Sequence, residues 1–402
     1  MSDHHHHLTL DRLRAILQDA HLNFLIGAGA PSAYFALLGD VENALTSIDQ
    51  AEHFGATTRA VARASVQAYF FDSVIAPNVQ LLAHDQRALP VLRSYAELGR
   101  TLNRILISRR NSLLSKKVNL FTTNVDLVFE VAFERLGIDL IDGFTGRLSP
   151  VYDLGLFGSL HFRTGIRYEH HSEAPTFDLY KLHGSVGWQF TSDPVVPSGI
   201  AFDRGLSDVS EVASRLVELR DGLITITKPA EVHAAELLEE ADGLDQAPNL
   251  TAFTAAYDRL VIVNPETQKF AMTVLTETYY ELIRRFANAL ERENSVLFVH
   301  GFSFRDEHLR KLMIRAARAN PTLQLVVFCF SATDRDAYDE LIPEVQVPNG
   351  NISYVLPQDG DDRLDLDTVV KRCFAPLASA PSPASDQRVE QAFDAPGSEP
   401  LD

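Results

Sequence analysis

Apolar residues along this chain gather in short runs that end abruptly in polar residues, and most runs lead into apolar positions spaced three and four apart. The clearest case is Val118-Asn119-Leu120-Phe121-Thr122-Thr123-Asn124-Val125-Asp126, followed by Leu127, Val128, Val131, Ala132 and Leu136. This pattern predicts a buried strand running into a helix, with Thr123, Asn124 and Asp126 at the strand's carboxyl end. Leu22–Ile26 ends likewise in Gly27-Ala28-Gly29-Ala30-Pro31-Ser32, where Pro31 and Ser32 introduce a helix, and Phe177–Leu182 ends in His183-Gly184-Ser185. Further strands are predicted at Gly137–Asp142, Val186–Phe190, Arg259–Asn264, Ser295–Val299, Leu323–Phe330 and Ile352–Leu356. Helical spacing covers Leu8–Ala20, Val209–Leu219, Ala230–Ala241, Phe270–Arg292, Glu307–Ala319 and Leu366–Phe374. Strand and helix in alternation predict an α/β fold, a Rossmann-like parallel sheet with helices on both faces.

Two stretches are too long to be simple crossovers. Residues 41–117 read as helical, with Pro77 and Pro90 marking loops, and residues 191–258 form a second insertion, acidic near Glu236 to Asp245. Residues 143–177 carry Gly, Phe, Tyr and His with little periodicity, and read as a long loop or small subdomain able to lid a pocket. One domain over 8–375 therefore carries large helical insertions. Residues 1–7, with His4 to His7, are a purification tag or flexible tail, because a contiguous His run fixes no ligand geometry. Beyond Pro376 the apolar periodicity fades, so 376–402 reads as a disordered tail.

Composition narrows the class. At 402 residues, 46% hydrophobic and 22% charged, the chain matches an ordinary soluble globular protein. It has no apolar run long enough to span a bilayer and no signal-peptide pattern at its start. Its two cysteines, Cys329 and Cys373, make no disulfide framework, which points to a reducing cytoplasm. The net charge of −18 disfavours direct nucleic-acid binding and suits solubility, or docking on a basic partner.

The candidate chemistry lies at the strand ends, where open parallel sheets bind ligands. Gly27 and Gly29 suit a backbone that approaches a phosphate closely, and equally suit a plain tight turn. Asn124 and Asp126 suit a polarised small molecule, and equally suit a helix cap. His183 can act as a general base near neutral pH or can be a structural histidine. Gly301 and Ser303 stand at another strand-to-helix junction, and His300 before them suits the core or the strand end better than catalysis.

Taken in order, Gly27-Ala28-Gly29 with Ser32, Thr123-Asn124-Val125-Asp126, and His183-Gly184 resemble the motifs of the sirtuin family, Gly-Ala-Gly-x-Ser, Thr-Gln-Asn-Ile-Asp and His-Gly. Gly301-Phe302-Ser303 looks like the family's later Gly-Thr-Ser. The match runs through residues 20–330 as scattered motifs. The four cysteines of the deacylases' zinc ribbon are missing, Thr123 stands where deacylases carry Gln, and no Pro-Asp-Phe-Arg follows Ser32. The chain is more similar to the zinc-less, bacterial sirtuin-like proteins of antiphage defence, with which the segment 299–308 and the Asn264-Pro265-Glu266-x-x-Lys269 turn also agree.

This resemblance implies an NAD hydrolase that needs no zinc and takes NAD as its substrate. It implies a homo-oligomer, with a HerA-like ATPase as partner. Residue by residue, it implies that Gly27, Ala28, Gly29 and Ser32 hold the pyrophosphate, within a loop system that includes Thr123. Asn124 would position water and ribose hydroxyls, Asp126 accept from the carboxamide, His183 take a proton, and Gly301 and Ser303 seat the adenosine half. Competing readings are a protein deacylase, a non-catalytic NAD-binding scaffold and a nuclease component, the last disfavoured by charge and by the lack of a two-metal carboxylate cluster.

Overall fold

The structure is a computed structural model that describes residues 8–37, 41–109, 113–165, 170–191, 199–226, 233–244, 246–263, 273–358 and 363–378. The His run, the Asn264–Lys269 turn and most of the acidic tail lie outside the described residues. Thirteen strands are present among them. The first seven are β1 (His21–Ile26), β2 (Lys117–Thr122), β3 (Leu140–Ile141), β4 (Phe144–Thr145), β5 (Val151–Tyr152), β6 (His161–Thr164) and β7 (His171–Ala174). After them come β8 (Thr176–Lys181), β9 (Trp188–Phe190), β10 (Ile200–Phe202), β11 (Ser295–His300), β12 (Gln324–Phe328) and β13 (Ile352–Val355).

Seven strands form one parallel sheet in the order β13-β12-β11-β1-β2-β8-β3. Without the short edge strand β3, the connectivity is that of a doubly wound dinucleotide-binding sheet, whose strand order reverses between β1 and β11. Both faces are apolar, as a parallel sheet buried between helices requires. Phe24, Leu120, Leu179, Phe298 and Phe328 pack on one side with the Leu89–Ser108 and Val128–Leu136 helices. Leu25, Phe121, Tyr180, Val299 and Val327 pack on the other with the Thr273–Glu291 and Glu307–Ala319 helices. The stretch 143–177, together with β9 and β10, builds a small antiparallel sheet, β4-β5-β10-β9, and the β6-β7 hairpin. Trp188, Tyr152 and Phe144 bind that small sheet together through tilted and edge-to-face ring contacts.

Four local expectations are corrected. No helix begins at Ser32: residues 28–34 form successive turns, and the next helix is Val41–Gln50. The Ser32 hydroxyl donates to the Gly29 carbonyl at 2.8 Å, closing the chain into a turn by the side-chain route that competes with helix. Pro77 and Pro90 do not mark loops; each sits in the first turn of a helix, where a missing N–H leaves no bond unmade. The run 259–263 is no sheet strand but makes a single antiparallel bridge from Ile262 to Gly184. The strand expected over 137–142 shrinks to the two residues of β3.

The two insertions meet. The Val41–Gln50 and Ala56–Phe70 helices enclose a satellite core with the Ala234–Asp242 helix, through Leu45, Ile48, Val61, Val66, Leu237 and Leu238.

Candidate active site at the carboxyl edge of the sheet

Four neighbouring strands, β11, β1, β2 and β8, end in the polar segments picked out from the sequence, so the sheet order alone gathers them on one edge. Between β1 and β11 the contact is backbone on backbone. Gly27 and Gly29 donate their N–H groups to the carbonyls of His300 and Gly301 at 2.9 and 2.8 Å. A Cβ at Gly27 would stand 2.5 Å from the Gly301 oxygen, and Gly301 itself has φ +65°. The glycines thus let two loops touch at the switch point, and their amides are bonded within the protein. Ala28 and Ser32 are exposed on the rim, as is Ser303.

Strand β2 joins the same junction through side chains. Thr122 donates from its hydroxyl to the Ile26 carbonyl at 2.7 Å and accepts from the Asn124 amide N–H at 3.0 Å. The Asn124 side-chain amide then donates to the Gly27 carbonyl at 3.1 Å. With that NH2 group engaged, the carboxamide oxygen is the atom able to accept from water or a hydroxyl. Thr123, half-buried, lies between them. Asp126 is buried, and one of its carboxylate oxygens accepts from the Val128 N–H at 3.0 Å, fixing the turn that enters the Val128–Leu136 helix, whose cap residue is Leu127.

Beneath Asp126 lies a buried cation that the sequence reading passed over. Lys181, the last residue of β8, is 3% exposed; its ammonium donates to the Asp126 carbonyl and pairs with Glu130 at 3.2 Å. Burial raises the Asp126 pKa, against the pull of Lys181. Burial also pushes Glu130 up to about 7, again with Lys181 opposing.

His183 lies just beyond β8. Its carbonyl accepts from the Val263 N–H at 2.8 Å, and Ser185 donates its N–H to the Val261 carbonyl, so the 261–263 segment clamps this turn. Gly184 has φ +75°, and a Cβ there would sit on the Val261 carbonyl. Val186 donates to the Val125 carbonyl at 3.0 Å, tying the His183 turn to the Asn124 turn. The imidazole Nε2 lies 3.1 Å from the Asp306 carboxylate, and the Tyr279 ring centroid is 6.4 Å away. An ionised carboxylate only accepts, so Nε2 carries a proton toward Asp306, and in the neutral ring the lone pair is then on Nδ1.

Asp306 is the candidate site residue that the sequence did not single out, although it lies within the segment 299–308. It also caps the Glu307–Ala319 helix, its other oxygen accepting from the Leu309 N–H at 3.0 Å. Phe304, two residues earlier, is buried with φ +59°, a conformation L-residues avoid. Packing against Phe302 and Tyr338 holds it there. The signal in the sequence was an Asp placed one residue before a helix of strong periodicity; it announced a cap and nothing about His183.

Asn124, His183, the glycine loop and Gly301 therefore share one edge, with Asp306 added. Among the described residues, no group of three or more His, Cys, Asp or Glu side chains is arranged to hold a metal ion, and no helix is long and apolar enough to cross a membrane. An open depression of about 500 Å³ on the Glu307–Ala319 helix, lined by Lys311, Arg315 and Arg318, lies apart from these strand ends.

The class defined by this architecture is the Rossmann-like α/β fold. Compared with known proteins, the chain matches no family model and no curated protein by sequence. The likeness to sirtuins rests on the short motifs and on nothing longer.

Proposed function

We propose that the protein hydrolyses NAD at the nicotinamide–ribose bond, releasing nicotinamide and ADP-ribose. The observation that carries this reading is the meeting of Asn124 and His183 on adjacent strand ends beside the Gly27–Gly29 loop, at the switch point of a sheet with dinucleotide-binding order. Nicotinamide in NAD is already a cationic leaving group. As the glycosidic C–N bond breaks, its electron pair neutralises the pyridinium nitrogen and the ribose passes through an oxocarbenium-like state. Water adds to the anomeric carbon. Asn124 holds that water and the ribose hydroxyls through its carboxamide oxygen. His183 Nδ1 takes the water's proton, and the imidazolium so formed is stabilised by Asp306. The resemblance extends the reading to antiphage defence by NAD depletion, in a homo-oligomer assembled with a HerA-like ATPase.

Chromatography of NAD incubated with the protein, alone and with such an ATPase, tests the proposal. Nicotinamide and ADP-ribose should accumulate in equal amounts with the wild type, and His183→Ala should lower turnover by roughly 10²–10⁴-fold without unfolding. Asn124→Ala should lower it comparably. Intact NAD in every wild-type incubation sinks the proposal. NAD loss that requires an acylated lysine peptide replaces it with a deacylase.

A further inference from the structure

One buried side chain has no use in the chemistry above. His300 ends β11 with 4% exposure, and neither ring nitrogen has a hydrogen-bond partner among the described residues. Strand alternation places it on the face of Phe298, and its register neighbours are Ile26 in β1 and Phe328 in β12. The Phe328 ring centroid lies 6.5 Å from its own. Its carbonyl accepts from the Gly27 N–H at 2.9 Å, so its main chain belongs to the loop junction at the switch point. Burial holds the ring's pKa down to about 4, with Asp365 pulling the other way, so at neutral pH the ring is an uncharged donor and acceptor. Native interiors seldom leave both atoms of such a group unmet, because each loses its hydration without replacement.

We infer that the His300 ring binds the adenosine half of the dinucleotide, giving one hydrogen bond to and taking one from its uncharged groups, the adenine edge or the ribose diol. The inference rests on the NAD reading and deepens it. Its position at the β1–β11 reversal is where the crevice of this strand order lies. The charged group acting on the ring is Asp365, whose carboxylate caps the helix starting at Leu366 by accepting from the Thr368 N–H at 2.8 Å. A carboxylate there disfavours a phosphate and leaves neutral groups as the match.

Calorimetric titration of ADP-ribose, AMP and nicotinamide mononucleotide into the full chain tests this, using wild type, His300→Phe and His300→Leu. Removing two unmet polar atoms should raise the apo melting temperature of at least one variant, while two lost hydrogen bonds weaken ADP-ribose and AMP by roughly 5–150-fold. Nicotinamide mononucleotide should be unaffected. Folded variants that bind ADP-ribose as wild type does would make His300 a core residue and overturn the inference, leaving the NAD reading intact. Equal weakening of the mononucleotide overturns the assignment to the adenosine half. Wild type that binds none of the three overturns the NAD reading, and this inference with it.

Discussion

The pairing of His183 with Asp306 gives the most demanding test of the proposed chemistry, because Asp306 has two tasks that substitutions can separate. One oxygen caps the Glu307–Ala319 helix through Leu309, and the other meets His183 Nε2 at 3.1 Å. Serine keeps the first task, since Ser and Asp are nearly equivalent at this position, but its hydroxyl is too short to meet the imidazole. Both variants lose the His183 contact, so Asp306→Ser should be more stable than Asp306→Ala by about 1 kcal/mol, the worth of the cap. The lost contact is a hydrogen bond to an ionised acceptor, worth about 1.5–3 kcal/mol, and it strengthens as His183 gains charge in the transition state. At about 1.36 kcal/mol per decade, kcat falls roughly 10–150-fold. KM should hardly move, because the proposed chemistry has the carboxylate act through His183. Nicotinamide release followed by chromatography, beside urea midpoints for both variants, gives the readings. A folded Asp306→Ser protein turning NAD over within about twofold of wild type, with His183→Ala inactive, would refute the role given to Asp306.

Two further outcomes are expected in the same region. Gly184→Ala places a methyl on the Val261 carbonyl at φ +75°, so strain and clash together should destabilise by about 2–5 kcal/mol, read as a lower melting temperature; an unchanged melting temperature contradicts the turn described. Glu130, pushed from its ordinary 4.5 to about 7, binds more protons folded than unfolded between those values. Its contribution to stability is complete below 4.5 and is lost as pH rises through about 7, so urea midpoints at about pH 5 and pH 8 should differ less in Glu130→Gln than in wild type. An identical difference in both shows that Glu130 titrates elsewhere.

Much of the sheet was legible because parallel strands buried on both faces must be nearly continuous apolar runs, since strict alternation of polar and apolar residues cannot serve two helical layers. Residues 295–300 and 324–328 read that way and fold that way. The run 259–263 has the same look and a different fate, since its carbonyl and amide groups pair with the His183 turn and not with a sheet neighbour. Nothing in its own residues records that choice. Thr123, Asn124 and His183 were legible as strand-end polar groups, because a polar residue closing an apolar run has few other places to go. Asp306 was not, since its partner lies 123 positions away and its local pattern already had an explanation as a cap. Lys181 escaped for the opposite reason: a lysine ending a strand is ordinarily solvated, and only the fold supplies the Glu130 that permits its burial.

The satellite core bears on how such a site is controlled. Its helices come from two places in the chain, 41–70 after the glycine loop and 234–242 before the segment that clamps His183. Polar contacts reinforce the union: Arg220 forms two 3.0 Å bonds with Asp72, and the Ser65 hydroxyl accepts from the Ile224 N–H at 2.9 Å. A module attached at one point could act on one end of the site only. This one is tethered on one side to the chain leaving Gly29 and on the other to the chain entering Val261, whose carbonyl receives Ser185 and whose neighbour Val263 donates to His183. A rigid shift of the module would therefore act on the glycine loop and on the histidine turn together. Packed cores move between discrete arrangements and transmit such shifts without absorbing them. The fold thus joins both ends of the edge to one satellite core, through contacts made away from the strand ends.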